Sequence, residues 1–124
     1  MTLVMHICRI LLGVIFLGAG VNGYLVLLGL EPVFPTSPKA LELLGNGYLL
    51  ALEKTVEVLA GILLIVRWFV PLTLAILLPV VVNILAFHLF VDREFLPLAI
   101  GVAILEACLL WDRRNHYRGL LVSR

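Results

Sequence analysis

Three ionisable side chains stand close together inside a long apolar stretch of this chain: Glu53, Lys54 and Glu57. On a helix, residues three and four positions apart share a face, so Glu57 would lie beside both Glu53 and Lys54. A charged group at the centre of a membrane-spanning helix costs roughly 2.5–3.5 kcal/mol, which favours pairing. The spacing therefore predicts a buried ion cluster. Two interpretations stay open: a functional pocket, or a network that only sets how the helices pack.

Other polar groups occur singly in the remaining apolar stretches. At about 1.5 Å per helical residue, Lys54 and Asn83 would each lie about 12 Å below the same membrane boundary. Because exposing such groups to lipid is costly, we expect one group from each helix to face the others in the outer half of the membrane. His88 lies nearer the boundary, and the alternative to a ligand-binding role is that it is an interfacial residue bonded to a headgroup or to the backbone. The candidate ligand-binding residues are Lys54, Glu57, Asn83, His88, Glu53, Asn22 and Glu106.

The composition indicates which elements must position these groups. The chain has 124 residues, of which 63% are hydrophobic and 14% charged, whereas soluble domains are about 45–50% apolar and about 25% charged. The expected fold class is an all-α membrane protein, a four-transmembrane-helix antiparallel bundle that forms a single domain over residues 1–124. We expect spans at about 3–28, 47–66, 71–91 and 96–111, with a cytoplasmic tail at 112–124. A short helix, Pro38–Gly45, is expected in the loop between the first two spans.

Basic residues predict the orientation of the bundle in the bacterial inner membrane, because Lys and Arg concentrate on the cytoplasmic side. Lys39 and Arg93 fall on one side of the predicted spans. The opposite side carries Arg9, Arg67, Arg113, Arg114, Arg118 and Arg124. Both termini are therefore expected in the cytoplasm.

Several classes of function are excluded at this level. A net charge of +1 does not fit a strongly basic nucleic-acid surface. Only two cysteines occur, Cys8 and Cys108, so a disulfide framework is excluded and no dithiol pair is available. The three histidines are spread over the chain, which argues against a haem or copper site held by a histidine pair, and no metal site is expected.

A series of short motifs covers nearly the whole chain, and together they resemble the DoxX-like family of small bacterial membrane proteins. The resemblance implies a four-helix bundle associated with membrane redox complexes, since the family takes its name from a component of a thiosulfate:quinone oxidoreductase. The motifs are Arg9–Gly13, Gly20–Gly23, Gly47–Leu49, Lys54, Glu57, Gly61, Arg67–Leu72, Pro79–Ile84 and Phe87-His88.

The expected function is a non-catalytic or accessory component of a membrane redox system. In this hypothesis the polar pocket binds a quinone or similar small molecule: a Lys or His would donate to its carbonyl and a Glu would carry a proton. Electrons would come from a redox partner protein, and a homo-oligomer stays open. The alternative is a membrane scaffold or assembly partner with a structural polar network, whose basic tail recruits a cytoplasmic protein or anionic lipid.

Overall fold

The computed structural model describes residues 2–31, 48–91 and 93–121, and these residues are almost entirely helical, which confirms the all-α class. The short helix expected at Pro38–Gly45 lies outside the described residues. A 3₁₀ helix, Arg114–Leu121, follows the last α-helix. The four α-helices are α1, Leu3–Leu27; α2, Tyr48–Val66; α3, Val70–Phe90; and α4, Leu96–Asp112.

The helix ends follow local sequence chemistry. Thr2 caps α1, since its side chain accepts a hydrogen bond from the backbone N–H of Met5 at 3.3 Å. Pro71 and Pro97 each lie in the first turn of a helix, where proline removes no helical hydrogen bond. Between α2 and α3, Arg67 has a φ of 65° and reverses the chain in a tight turn.

Glycines bring α1 and α2 to backbone contact. A Cβ atom added at Gly61 would collide with the backbone of Leu17 and Gly13, and one added at Gly13 would collide with the carbonyl oxygen of Gly61. Small residues permit this close approach because no side chain separates the two helices. The α1–α2 interface is accordingly the most extensive among the described helices, followed by that between α3 and α4.

Smaller interfaces join α1 to α4 and α2 to α3, so the four helices close around one core. Most of the deeply buried side chains are apolar, and they come from all four helices. No more than 2% of each is exposed for Leu12, Phe16, Leu50, Leu64, Val70, Leu74, Leu77, Ala99 and Leu109.

The two ends of the bundle differ in charge. One end holds the start of α1, the α2–α3 turn and the end of α4; we call it the basic end, because it carries Arg9, Arg67 and Arg113. The other end, called the opposite end, holds the end of α1, the start of α2 and the α3–α4 turn. These names make no reference to a membrane.

Within the described residues, two helices are long and apolar enough to cross a membrane, namely α1 and α3. Helix α2 carries three ionisable side chains, and α4 has only 17 residues. By length and composition alone, α1 and α3 therefore indicate membrane association.

Candidate functional site

The predicted ion cluster on α2 is formed. Nζ of Lys54 lies 3.1 Å from Oε2 of Glu57 and 3.5 Å from Oε1 of Glu53. The Glu57 side chain is 3% exposed, whereas those of Lys54 and Glu53 are 16% and 26% exposed. The carboxyl group of Glu57 is therefore at the closed side of the cluster, and solvent or a ligand reaches it past Lys54 and Glu53.

The cluster sets two acids against one base. Glu53 and Glu57 lie one helical turn apart on α2, and a carboxyl oxygen of each is within 3.5 Å of the Lys54 ammonium. With Lys54 charged, one proton on either acid makes the cluster electrically neutral. The arrangement can therefore hold a proton at a partly accessible place in an apolar helix.

Helix α1 provides the surface over which Lys54 reaches this position. A Cβ atom at Gly23 would overlap the Cγ, Cδ and Cε atoms of Lys54, so the lysine stem lies directly on the glycine. Gly20 lies against Val58 and the carbonyl oxygen of Lys54. Asn22, next to Gly23, is 6% exposed. The contact of Gly23 with the Lys54 stem agrees with a shared layer for Asn22 and Lys54, which stays a prediction.

A second cross-helix link was not expected as part of the site. The hydroxyl of Tyr24 on α1 bonds the hydroxyl of Thr55 on α2. Thr55 donates its single proton to the carbonyl oxygen of Ala51 at 2.7 Å, so Tyr24 must be the donor to Thr55. Sequence reasoning gave Tyr24 no role in the site. The sequence signal for this bond was the presence of one hydroxyl side chain on each helix, Tyr24 on α1 and Thr55 on α2, near the height of Lys54.

Asn83 does not belong to the cluster. It is exposed on α3, so the prediction that it faces Lys54 inside the bundle is wrong. The buried stripe of α3 passes through Leu74, Leu77 and Val81. At 100° per helical residue, Asn83 is about 200° from Val81 and therefore points away from that stripe. The depth estimate from the sequence contained no information about this angle.

His88 lies near the opposite end and packs among aromatic rings. It is half-buried, and its ring makes edge contacts with Phe87 and Phe95, with centroids 5.1 and 6.2 Å apart. Phe95 immediately precedes α4, so His88 bridges the end of α3 to the start of α4. This environment matches the interfacial alternative for His88 more closely than the ligand role.

Glu106 is buried on α4, and neither of its carboxyl oxygens has a hydrogen-bond partner among the described residues. Tyr117 of the 3₁₀ helix donates its hydroxyl to the carbonyl oxygen of Pro71 at 2.7 Å, at the basic end. Burial, and then the charge of Glu106, raises the pKa of Tyr117. The structure thus shows no hydrogen bond between Glu106 and the cluster on α2, and the prediction that Glu106 shares the layer of Lys54 stays a prediction.

Arg9 is a buried polar residue to which sequence reasoning gave no role in a site. It is 5% exposed, and its Nη1 donates to the carbonyl oxygens of Leu64 and, at 3.0 Å, Ile65. These carbonyls belong to the last turn of α2, where helical acceptors have no partner within the helix. Arg9 therefore caps α2 from α1. A charged residue two turns into an apolar helix is the sequence signal for such a contact.

Comparison with known proteins adds nothing to this geometry: no family model, no curated protein and no solved structure matches the chain. The DoxX-like resemblance therefore stays a prediction. Of the predicted site residues, the structure brings together Glu53, Lys54 and Glu57, and it places Asn83 on an exposed face of α3. No hydrogen bond joins Glu106 to this cluster within the described residues.

Proposed function

We propose that all four α-helices cross the bacterial inner membrane. Helices α2 and α4 support this, because their outward faces are apolar although each carries buried ionisable groups. Leu59 and Ile104, for example, are 56% and 57% exposed. Large exposed apolar surfaces on every helix need a covering, and lipid covers all sides of a bundle at once. The charged groups of α2 are compatible with lipid because they partner one another.

The proposed orientation places the basic end in the cytoplasm, with both termini on that side. The six-to-two distribution of Lys and Arg supports it. Labelling of Ser37→Cys and Ser123→Cys in a cysteine-free variant tests it. An impermeant thiol reagent added to intact cells should label position 37 and leave position 123 unlabelled. Labelling at position 123 would contradict the orientation.

Within this bundle, the cluster Glu53–Lys54–Glu57 is proposed to bind a small molecule that accepts a hydrogen bond, and a quinone fits this description. The single observation that carries the proposal is the partly exposed Lys54 ammonium between the carboxyl groups of Glu53, at 3.5 Å, and Glu57, at 3.1 Å. Lys54 can donate to a quinone carbonyl, and the proton held by the two acids can follow reduction of that carbonyl.

The biological role proposed from the DoxX-like resemblance is an accessory component of a membrane redox system. The chain would position the quinone and supply protons, and a redox partner protein would supply the electrons. Apart from the partner, this role requires nothing beyond the side chains already described. It also agrees with the small size of the chain, 124 residues.

Binding of a short-tailed ubiquinone to the detergent-purified protein tests the site. The wild type should bind it, and Lys54→Met should weaken binding by about tenfold, the loss of about 1.4 kcal/mol expected for a hydrogen bond from a charged donor. Arg93→Gln is the matched control, since Arg93 is an exposed cation at the opposite end whose Nε bonds Leu89 at 3.1 Å. It should bind like the wild type.

The same measurements distinguish the alternative function. If the wild type neither binds the quinone nor carries one in its lipid extract, while Lys54→Met lowers the melting temperature, then the cluster is a structural network. The chain is in that case a membrane scaffold or assembly partner. A wild type that neither binds nor carries a quinone, together with a melting temperature unchanged by Lys54→Met, would contradict both functions.

A further inference from the structure

Three arginines from separate parts of the chain converge at the basic end. Arg9 comes from α1, Arg67 from the α2–α3 turn and Arg113 from the residue after α4. Arg9 reaches the carbonyl oxygen of Ile65, two residues before Arg67, at 3.0 Å. Tyr117, four residues after Arg113, bonds Pro71 at the start of α3. With His6, one turn before Arg9 on α1, these groups form one cationic cluster that is assembled by the fold, and the charges of Arg67 and Arg113 act on both Arg9 and His6.

Arg9 is held through its side chain, and Arg67 and Arg113 are placed by their main chains. Arg9 is anchored on the last carbonyls of α2, and its Nη2 lies 3.5 Å from Nδ1 of His6. Its Nε is buried and has no partner among the described residues. Arg67 is in the left-handed conformation, with a φ of 65°. Arg113 donates its backbone N–H to Leu109 at 3.0 Å, which extends α4 by one residue.

An acid also lies beside the cluster: Oδ2 of Asp112 is 3.8 Å from Nε of Arg113. Like charges that converge in a partly buried place oppose folding unless an anion joins them. Guanidinium groups bind phosphate with two parallel hydrogen bonds, and several arginines together form a common phosphate site.

The surroundings of the cluster indicate where this phosphate comes from. Three aromatic side chains are strongly exposed next to it: Trp68 at 66%, Phe69 at 67% and Trp111 at 70%. The guanidinium carbon of Arg114 lies 4.5 Å from the centre of the Trp111 ring. Exposed tryptophan beside arginine is the composition of a membrane interface, where lipid phosphates lie at the same depth.

We propose that His6, Arg9, Arg67 and Arg113 form a binding site for the phosphate of an anionic lipid headgroup, with Trp68 and Trp111 against the adjoining acyl chains. The proposal rests on the membrane insertion proposed above, but not on the ligand of the Lys54 cluster. The site lies at the other end of the protein and shares no residue with that cluster.

The test compares lipid binding to the detergent-purified full chain by native mass spectrometry and by thermal melting. We expect phosphatidylglycerol to bind the wild type and raise its melting temperature, and phosphatidylcholine to do so at least tenfold more weakly. The double variant Arg67→Gln/Arg113→Gln should lose about tenfold in affinity for phosphatidylglycerol, which is about 1.4 kcal/mol. Arg9 is left unchanged because it caps α2. Arg93→Gln, an exposed arginine at the opposite end, should bind phosphatidylglycerol like the wild type.

Each further outcome decides against the proposal in a different way. Equal binding of the two lipids, or an equal loss in Arg93→Gln and the double variant, would overturn the site. Inorganic phosphate that raises the melting temperature as much as phosphatidylglycerol would assign the site to a free phosphate. Carbonate extraction of the native membranes is measured in parallel: a protein that is released is not inserted, which overturns the membrane placement without involving the arginines.

Discussion

Glu57 and Glu106 are carboxyl side chains with nearly the same burial and very different surroundings. The residues are 2% and 1% exposed. Glu57 contacts Lys54 at 3.1 Å, whereas neither carboxyl oxygen of Glu106 has a partner in the part of the chain that the structure describes. A buried polar group without a partner costs free energy that a paired group recovers. The same residue type is therefore expected to stabilise the fold in one place and to oppose it in the other.

The difference originates in local sequence. Lys54 is three positions before Glu57, which puts the two on one helix face, and Glu53 is four positions before it. At the corresponding positions around Glu106 stand Val102, Ala103, Leu109 and Leu110, which offer no polar group. The partner of Glu57 comes from its own helix, while a partner for Glu106 has to come from elsewhere.

The largest effect is expected from Lys54→Met. Methionine keeps the length of the stem over Gly23 but removes the charge that pairs with Glu57. Removing one partner of a buried ion pair should lower the free energy of unfolding by about 3 kcal/mol, measured by thermal melting in detergent. Arg93→Gln, which removes an exposed cation, should leave melting unchanged. Equal melting of wild type and Lys54→Met would mean that the pair contributes nothing to stability.

A smaller effect is expected when the acid of the pair is replaced. Glu57→Gln keeps an oxygen that accepts from Lys54, whereas Glu57→Leu leaves the ammonium without its closest partner. We expect Glu57→Leu to melt at a lower temperature than Glu57→Gln. Its free energy of unfolding should be about 1–3 kcal/mol smaller. If the two variants melt together, Glu57 is not part of the stabilising network.

Glu106 should respond in the opposite direction. Because its carboxyl oxygens have no described partner, Glu106→Leu removes an uncompensated polar group and should raise the unfolding free energy by about 1–2 kcal/mol. Glu106→Gln keeps a polar group there and should change stability less. Thermal melting of Glu57→Leu and Glu106→Leu side by side gives the sharpest contrast. A loss of stability in both would show that Glu106 has a partner comparable to Lys54.

The helices and the α2 cluster could be predicted from the sequence because both depend on neighbours along the chain. The apolar runs and the prolines Pro71 and Pro97 determine where helices begin, and the predicted spans agree with the observed ends within one residue. The contact of Lys54 with Glu57 follows from helical spacing alone. Whether these helices cross a membrane is not determined by the same argument.

Other parts of the predicted site depended on the angle of a residue around its helix and on the register between helices. An estimate of depth gives neither of these. Counting residues gives a height along a helix, but Asn83 is exposed because of its angle around α3. Glu106 was placed by assuming that α4 starts level with α2, and counting residues along one helix gives no information about that register. Arg9 and Tyr24 act across the α1–α2 interface, whose register is set by glycine contacts between the two helices.

The smallest effect is expected at Gly23, which contacts the stem of Lys54 and not Glu57 itself. In Gly23→Ala the new methyl group occupies the place of the Lys54 stem, and the flexible lysine has to shift away from Glu57. We expect a loss of about 1 kcal/mol in unfolding free energy, at the low end for an overfilled contact. Gly101→Ala is the matched control, since a methyl group there meets no atom within 4 Å of it. Alanine favours helix over glycine, so this control should gain up to about 1 kcal/mol.

A second background shows whether the loss at Gly23 acts through Lys54. In Lys54→Ala the stem is absent, so adding Gly23→Ala should cost nothing and should resemble Gly101→Ala. The interaction free energy from this double-mutant cycle then measures the steric coupling between residue 23 and the lysine. Additive effects would mean that Gly23 is required by the backbone packing of α1 against α2 and not by the charged cluster. In that case Glu57 would be held only by residues of its own helix, Glu53 and Lys54, as helical spacing alone predicts.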